Sequence, residues 1–373
     1  MKRSSSVRIL MTADTMGGVW TYATGLASAL ADLGADVYLV SMGPKPRADQ
    51  LSMLSTPKVH VIESDLALEW QDPDGHDLAR AREYFSRMEG QIGPDVVHLN
   101  SFREATFDWR APVLVVAHSC VNSWGAACSD TAWLSEPRWR HYSALVSAGL
   151  NHADAWVAPT RAFHGVMKRI YRPRTLGMVI SNGAASAIEM PESKARFILA
   201  AGRMWDAAKN LAALAQAGTD LDWPVFVAGT TAKTVGKVGL GIEILGELSH
   251  SELRARMQRA AIFVSPARYE PFGLSVLEAA HAGCALVLSD IPTFRELWNE
   301  AALFVHPDDI EGLRRSLADL CSDQRKRSLL QRAASRRAQR YGIAQMAAAY
   351  AELYLGLISS RATSRRQALE VHA

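Results

Sequence analysis

Short, continuous apolar runs alternate with amphipathic helical segments along this chain, and the alternation stops once and then restarts. Runs at residues 7–12, 36–41, 59–62, 95–99, 113–117, 155–158 and 178–180 read as strands. Helices are expected between them at 20–33, 77–90, 138–148 and 161–170, the first ending at Gly34, a residue suited to the left-handed position after a helix. Strands buried on both faces need apolar side chains on both, so the runs are continuous rather than alternating. Strand–helix–strand order makes such a sheet parallel, with helices covering it.

Residues 181–192, small and polar with Gly183 and Pro191, read as a linker. From Arg196 the pattern restarts, with strands expected at 197–201, 224–228, 243–245, 262–265, 286–288 and 303–305. Helices are expected at 210–216, 251–260, 273–282, 292–298 and 310–320, then one helical stretch over 324–358 and an Arg-containing end that frays after Ser359. The expectation is an α/β protein: two Rossmann-like doubly wound domains in series with an interdomain cleft. Ligands in such sheets sit at the carboxyl ends of the strands.

Composition narrows the function. The 373 residues are 49% hydrophobic and 21% charged, which excludes a disordered, collagenous or low-complexity chain. A net charge of +3 is too weak to imply nucleic acid as the main partner. No apolar stretch approaches the roughly eighteen residues of a membrane-spanning helix. The run at 7–11 is too short and too charged for a signal-peptide core, so a first strand and a cytoplasmic protein are expected. Cys120, Cys128, Cys284 and Cys321 have neither zinc-site nor disulfide-framework spacing.

The most informative segment is Ser265-Pro-Ala-Arg-Tyr-Glu-Pro-Phe-Gly-Leu-Ser-Val-Leu-Glu278, where an apolar strand runs into a loop that opens a helix near Gly273. The first-turn amides of Gly273, Leu274 and Ser275 lack intrahelical partners, which makes an anion site suited to a diphosphate. Glu278 is the only formally charged side chain between Phe272 and Gly283. Buried, it needs hydrogen-bond donors of the kind ribose hydroxyls supply; at the helix edge it needs none. Arg203 and Lys209 follow the strand at 197–201 and read either as a phosphate clamp or as two solvated cations. Gly17-Gly18 lies in the first strand-to-helix turn without the full G-x-G-x-x-G pattern, so it admits a substrate or merely allows a tight turn. His118 follows the strand at 113–117 at the same rim, as a structural or a catalytic imidazole.

Two acidic pairs, Asp72-Pro-Asp74 and Asp220-Leu-Asp222, match a metal-binding D-x-D pattern, but neither follows an apolar strand, and no metal is inferred. Arg325, Lys326, Arg327, Arg332, Arg336, Arg337 and Arg340 form a basic helical face, solvated or close to anionic lipid if the acceptor is membrane-bound.

These residues resemble a family. Glu270-Pro-Phe-Gly-Leu-Ser-Val-Leu-Glu278 is similar to the E-x(7)-E signature of retaining glycosyltransferases, the family 4-like "glycosyl transferases group 1". Gly17-Gly18, Val157-Ala-Pro-Thr160, Ile180-Ser-Asn-Gly183, Gly202-Arg203, Lys209-Asn210 and Asp290-Ile-Pro-Thr-Phe-Arg-Glu296 follow in the family's order, so the resemblance extends to about Tyr354. It implies the GT-B architecture, divided as an acceptor-side domain at 1–184, a nucleotide-sugar domain at 185–340, and a helix at 341–373 that crosses back to the first. It implies a nucleoside-diphosphate sugar as co-substrate, no cofactor or metal, a saccharide, lipid-linked or small-molecule acceptor, and a monomer or homodimer. By the same resemblance Arg203 and Lys209 clamp the diphosphate, Glu278 holds the ribose, and Glu270 lies beside the donor sugar. Phe272, Gly273 and Leu274 offer backbone amides, Gly17 and Gly18 approach the donor phosphate, and His118 faces the donor sugar. Acceptor contacts are expected around Asn100, Trp124 and Arg138. One departure is Asn182-Gly-Ala-Ala185 where the family has Asn-Gly-Val-Asp, which removes a carboxylate near the linker.

The family mechanism is front-face attack, with the leaving diphosphate accepting the acceptor's proton. Two rivals remain: a nucleotide-sugar epimerase of the same architecture, which expects additional acid/base carboxylates around the donor that the sequence does not show, and a non-catalytic sugar-nucleotide-binding protein.

Overall fold

The computed structural model describes residues 6–54, 56–185, 193–230 and 241–371, with the backbone alone for 364–371. Most of the linker expected at 181–192 lies outside the described residues. The chain forms two compact units: Met1–Gly125, Asp130–Ser181 and Ile343–Ala373 make the first, Ala126–Ser129 and Asn182–Gly342 the second.

In the first unit β1 (Arg8–Asp14), α1 (Gly18–Asp32), β2 (Asp36–Met42), a single turn α2 (Ala48–Leu51) and β3 (Val59–Ile62) lead into α3 (Leu78–Ile92). Then come β4 (Val96–Leu99), β5 (Val113–Val116), α4 (Val121–Ala127), α5 (Pro137–His152), β6 (Ala155–Ala158), α6 (Arg161–Tyr171) and β7 (Gly177–Val179). The strands form one parallel sheet in the order β3-β2-β1-β4-β5-β6-β7. Every residue of β4, β5 and β6 is buried, which accounts for their uninterrupted apolar sequences.

The second unit runs β8 (Ala195–Ala201), α7 (Leu211–Ala217), β9 (Val225–Ala228), β10 (Glu243–Gly246), α8 (His250–Arg259) and β11 (Ala260–Ser265). It continues with α9 (Leu274–His281), β12 (Ala285–Ser289), α10 (Pro292–Trp298), β13 (Leu303–Val305), α11 (Ile310–Ser322) and α12 (Gln324–Ala338). Its parallel sheet is ordered β10-β9-β8-β11-β12-β13. In both sheets the winding direction reverses beside the first strand, between β1 and β4 and between β8 and β11. Such switch points open ligand-binding crevices at their carboxyl ends. Phe263, Leu286, Phe294 and Trp298 anchor one core of this unit, and Ile198, Val227, Val287 and Leu317 the other, on the sheet's opposite faces.

The helix expected over 324–358 is two helices. The chain leaves α12 so that Tyr341 O can accept the Ala184 N–H at 3.1 Å, with Gly342 bridging to Ala184, before α13 (Ile343–Val371) begins. The Tyr341 ring packs against Phe272 and Trp298. Helix α13 belongs to the first unit, where Met346, Ala347, Tyr350 and Tyr354 are buried. The end expected to fray after Ser359 is instead helical to Val371. Among the described residues no helix is long and apolar enough to cross a membrane.

Candidate active site

At the β8–β11 switch point, hydrogen bonds tie several loops together. Asn210, at a left-handed φ of 56°, donates its side-chain amide to Pro266 O (3.0 Å) and Pro307 O (2.9 Å). The Arg268 N–H donates to Ala208 O at 2.8 Å, and its guanidinium pairs with Asp308 at 2.5 Å. Loops after β8, β11 and β13 are thus held at one edge of the sheet.

That edge carries the expected cations. Lys209 Nζ donates to Glu270 Oε2 at 2.5 Å, with both side chains largely but not fully buried. Arg203 lies 3.5 Å from Asp206 and its guanidinium stands over Trp205, 5.5 Å from the ring centre. Asp206 also accepts the Ala208 N–H at 2.9 Å, so one buried carboxylate shapes the turn and steadies Arg203. Gly229 makes room: a Cβ there would fall 1.8 Å from Gly202 O.

Gly273 caps α9 at φ 86°, and no side chain caps that helix. A Cβ at Gly273 would lie 3.0 Å from the Phe294 ring and 3.3 Å from Glu270 Cγ, so glycine brings the Glu270 loop tight against the helix start. Thr293 Oγ1 donates to Glu270 O at 2.6 Å from the start of α10. The Phe272 side chain is core, which leaves its backbone, with those of Leu274 and Ser275, as its contribution to the rim. Glu278 is mostly buried, and its donor is a protein group: His250 Nε2 lies 2.7 Å from Oε1. The capping pattern Ser249-x-x-Glu252 marks the start of α8 and places His250 at its first residue, the signal by which it was findable.

In the first unit Gly17 (φ 100°) and Gly18 are exposed at the start of α1. His118 follows β5, half-buried, in a T-shaped contact with the Tyr22 ring, the ring centres 4.5 Å apart. Asn100, expected to contact acceptor, has its side chain engaged within the protein: Oδ1 lies 2.7 Å from His118 Nε2 and 3.2 Å from His98 Nε2, and Nδ2 donates to Thr12 O at 2.5 Å. His98 Nδ1 lies 2.6 Å from the Tyr354 hydroxyl. His98 and Tyr354 carry no local sequence signal, since each is a buried residue of an ordinary strand or helix. Burial pushes the pKa of both imidazoles down to about 3, and His98 adds to the effect on His118.

Trp124 and Arg138 stand apart from this cluster. Trp124 opens a row of rings running through Trp133 and Trp139 to Tyr142, and Arg138 stacks on Trp139 and lies 3.9 Å from Asp74. Asp72 of the first acidic pair is bound by Arg103 at 2.9 Å and by the His76 and Asp77 amides, so its oxygens are spent on structure. Arg103 is fully buried and also pairs with Glu104, while Glu69 accepts the Phe102 and Arg103 amides. Burial, then the Glu104 carboxylate, raise the Glu69 pKa to about 7. Among the described residues no group of three or more His, Cys, Asp or Glu is placed to hold a metal ion. Part of the basic face is structural as well. Arg327 donates to Leu320 O and covers Trp223, Arg337 donates to Leu297 O, and Lys326 pairs with Asp319, whereas Arg325, Arg332, Arg336 and Arg340 are exposed.

Two parallel sheets, each reversing its winding beside its first strand, define a two-domain α/β protein of the GT-B fold. Residues 16–186 match the model of Glycosyltransferase Family 4 and residues 187–337 that of Glycosyl transferases group 1. The chain is 25% identical over 388 aligned residues to a glycogen synthase of Mycobacterium tuberculosis, covering 91% of each. It is 29% identical over 250 residues to the GDP-mannose:cellobiosyl-diphosphopolyprenol alpha-mannosyltransferase of Xanthomonas oryzae, covering 58% of this chain and 62% of that one. Sucrose-phosphate synthase from Thermosynechococcus elongatus superposes with a TM-score of 0.79 at 17% identity, over 95% of this chain and 100% of that one. HepE of Anabaena, solved in complex with UDP and glucose, superposes with a TM-score of 0.72 at 16% identity, over 93% of this chain and 99% of that one. The chain is a glycosyltransferase and belongs to the family 4-like group. Neither the epimerase nor the non-catalytic reading finds support in these similarities.

Proposed function

We propose that this enzyme moves a hexosyl unit, of mannosyl or glucosyl type, from a nucleoside-diphosphate sugar to a hydroxyl of a saccharide, lipid-linked or small-molecule acceptor, with retention and without a metal. The observation that carries this reading is the Lys209–Glu270 pair at 2.5 Å, with Arg203 on the same loop as Lys209 and the Gly273 helix start against Glu270. A diphosphate entering there meets two cations and the free amides of Phe272, Gly273, Leu274 and Ser275, which supply the charge a divalent ion supplies elsewhere. Glu270 is then held beside the transferred sugar by Lys209 and by the Thr293 bond to its carbonyl. Glu278, oriented by His250, receives the ribose hydroxyls. Gly17 and Gly18 allow close approach of the donor phosphate, and His118 meets the donor sugar.

In this mechanism the bond from the anomeric carbon to the diphosphate oxygen breaks while the acceptor oxygen bonds to the same face. The acceptor's proton passes to the departing phosphate oxygen, and Arg203, Lys209 and the α9 amides stabilise the charge that develops there. The working location is the cytoplasm; with a lipid-linked acceptor, Arg325, Arg332, Arg336 and Arg340 face anionic headgroups.

Transfer assays in EDTA across UDP-, GDP- and ADP-linked glucose and mannose test this, with the product's anomeric configuration read by NMR. Turnover of at least one α-linked donor to an α-linked product is expected. An inverted product, or activity that needs added divalent ion, would contradict it.

A further inference from the structure

We propose that Thr12, Asn100, His98 and Tyr354 are positioning residues that lock the His118 imidazole as its Nε2–H tautomer, leaving Nδ1 to accept a hydrogen bond from a sugar hydroxyl. The inference rests on His118 meeting the donor sugar, as proposed above. A main-chain carbonyl oxygen can only accept, so the Asn100 atom 2.5 Å from Thr12 O is its amide nitrogen. The Asn100 main-chain N–H donates to Thr12 Oγ1 at 2.9 Å, a second tie to the same residue. Oδ1 therefore points at the two rings, 2.7 Å from His118 Nε2 and 3.2 Å from His98 Nε2. An amide oxygen also only accepts, so each Nε2 carries a hydrogen.

With pKa values pushed down to about 3, neither ring holds a second proton at neutral pH. His98 Nδ1 is then a bare lone pair, and it accepts from the Tyr354 hydroxyl at 2.6 Å. His118 Nδ1 is equally bare and has no hydrogen-bond partner among the described residues. The Tyr22 ring, T-shaped to the imidazole with the ring centres 4.5 Å apart, limits its rotation. One carbonyl on β1 thereby sets the protons on two histidines, and α13 closes the chain of bonds through Tyr354. The chemistry favours this state: positive charge develops at an anomeric carbon during glycosyl transfer, and an imidazolium beside it would oppose that charge. A neutral acceptor orients a hydroxyl without that cost.

The test is a two-bond proton–nitrogen correlation spectrum of the full chain labelled with nitrogen-15 in histidine, at pH 7, with His118→Gln identifying the signal. The expected pattern is neutral Nε2–H for His118 and for His98. An Nδ1–H tautomer or an imidazolium at His118 in the unsubstituted protein overturns the lock, and this readout requires no variant to fold. Asn100→Ala is expected to mix the two His118 tautomers and to lower kcat about tenfold or more with donor KM little changed. An unchanged spectrum in that variant also overturns it. Tyr354→Phe keeps the packed ring and is expected to move the His98 signal first; a His98 signal that stays put contradicts Tyr354's role. If the spectrum is as expected and no sugar donor is turned over, the lock stands and the transferase reading of His118 fails.

Discussion

Single side chains in the first unit carry more charge than the core around them favours. Arg103 faces Asp72, Glu104 and Glu69, so one cation answers three carboxylates, and Glu69 is the one forced toward its neutral form. An acid whose folded pKa lies above its unfolded value costs no stability below about pH 4.5, and the cost is complete above about pH 7. Glu69→Gln, neutral at every pH and still able to accept the Phe102 and Arg103 amides, should therefore match the unsubstituted protein near pH 4 and exceed it in stability near pH 8. Thermal unfolding of both proteins at the two pH values checks this; a gap that is equal at both, or larger in acid, would refute it. Asn100 shows a different residue-scale lesson, since a polar residue at the rim of a strand can be committed wholly to fixing its neighbours.

At the scale of elements, the site is built from the places where strands end. Gly229 closes β9 at a φ of 131°, with Gly202 O where a methyl group would go. Gly229→Ala should lower stability by at least about 2 kcal/mol, because backbone must move on both sides of the contact. Urea unfolding that left the variant within error of the parent would show that the β8 and β9 loops yield freely. The elements were legible because their causes are local: β4, β5, β6 and β12 are buried throughout and read as unbroken apolar runs. The break between α12 and α13 was legible only through the family resemblance, which starts a separate helix at 341; periodicity missed it, because the contact made there is to Ala184, more than a hundred residues away in the chain. The same holds for the site: Arg203, Lys209, Glu270 and Glu278 announce themselves by motif and a capping pattern marks the position of His250, whereas the pairing of His250 with Glu278, and the roles of His98 and Tyr354, come only through partners that folding supplies.

At the scale of the whole molecule, the chain builds two parallel sheets, each reversing its winding beside its first strand, and then returns through α13 to complete the first unit. The two switch points are furnished differently, with neutral imidazoles and glycines in the first unit and with cations and free helix amides in the second. The proposed function assigns the leaving diphosphate to the cations of the second unit and gives the reacting sugar only neutral imidazoles from the first. The most direct measurement is a calorimetric titration of UDP, GDP and ADP in EDTA against the parent enzyme and against Lys209→Ala and Arg203→Ala. At least one diphosphate is expected to bind the parent without metal, and each substitution to weaken it about tenfold or more, as loss of a charged hydrogen bond to phosphate requires. Binding that both variants retain in full, or that appears only when magnesium or manganese is added, would contradict the account.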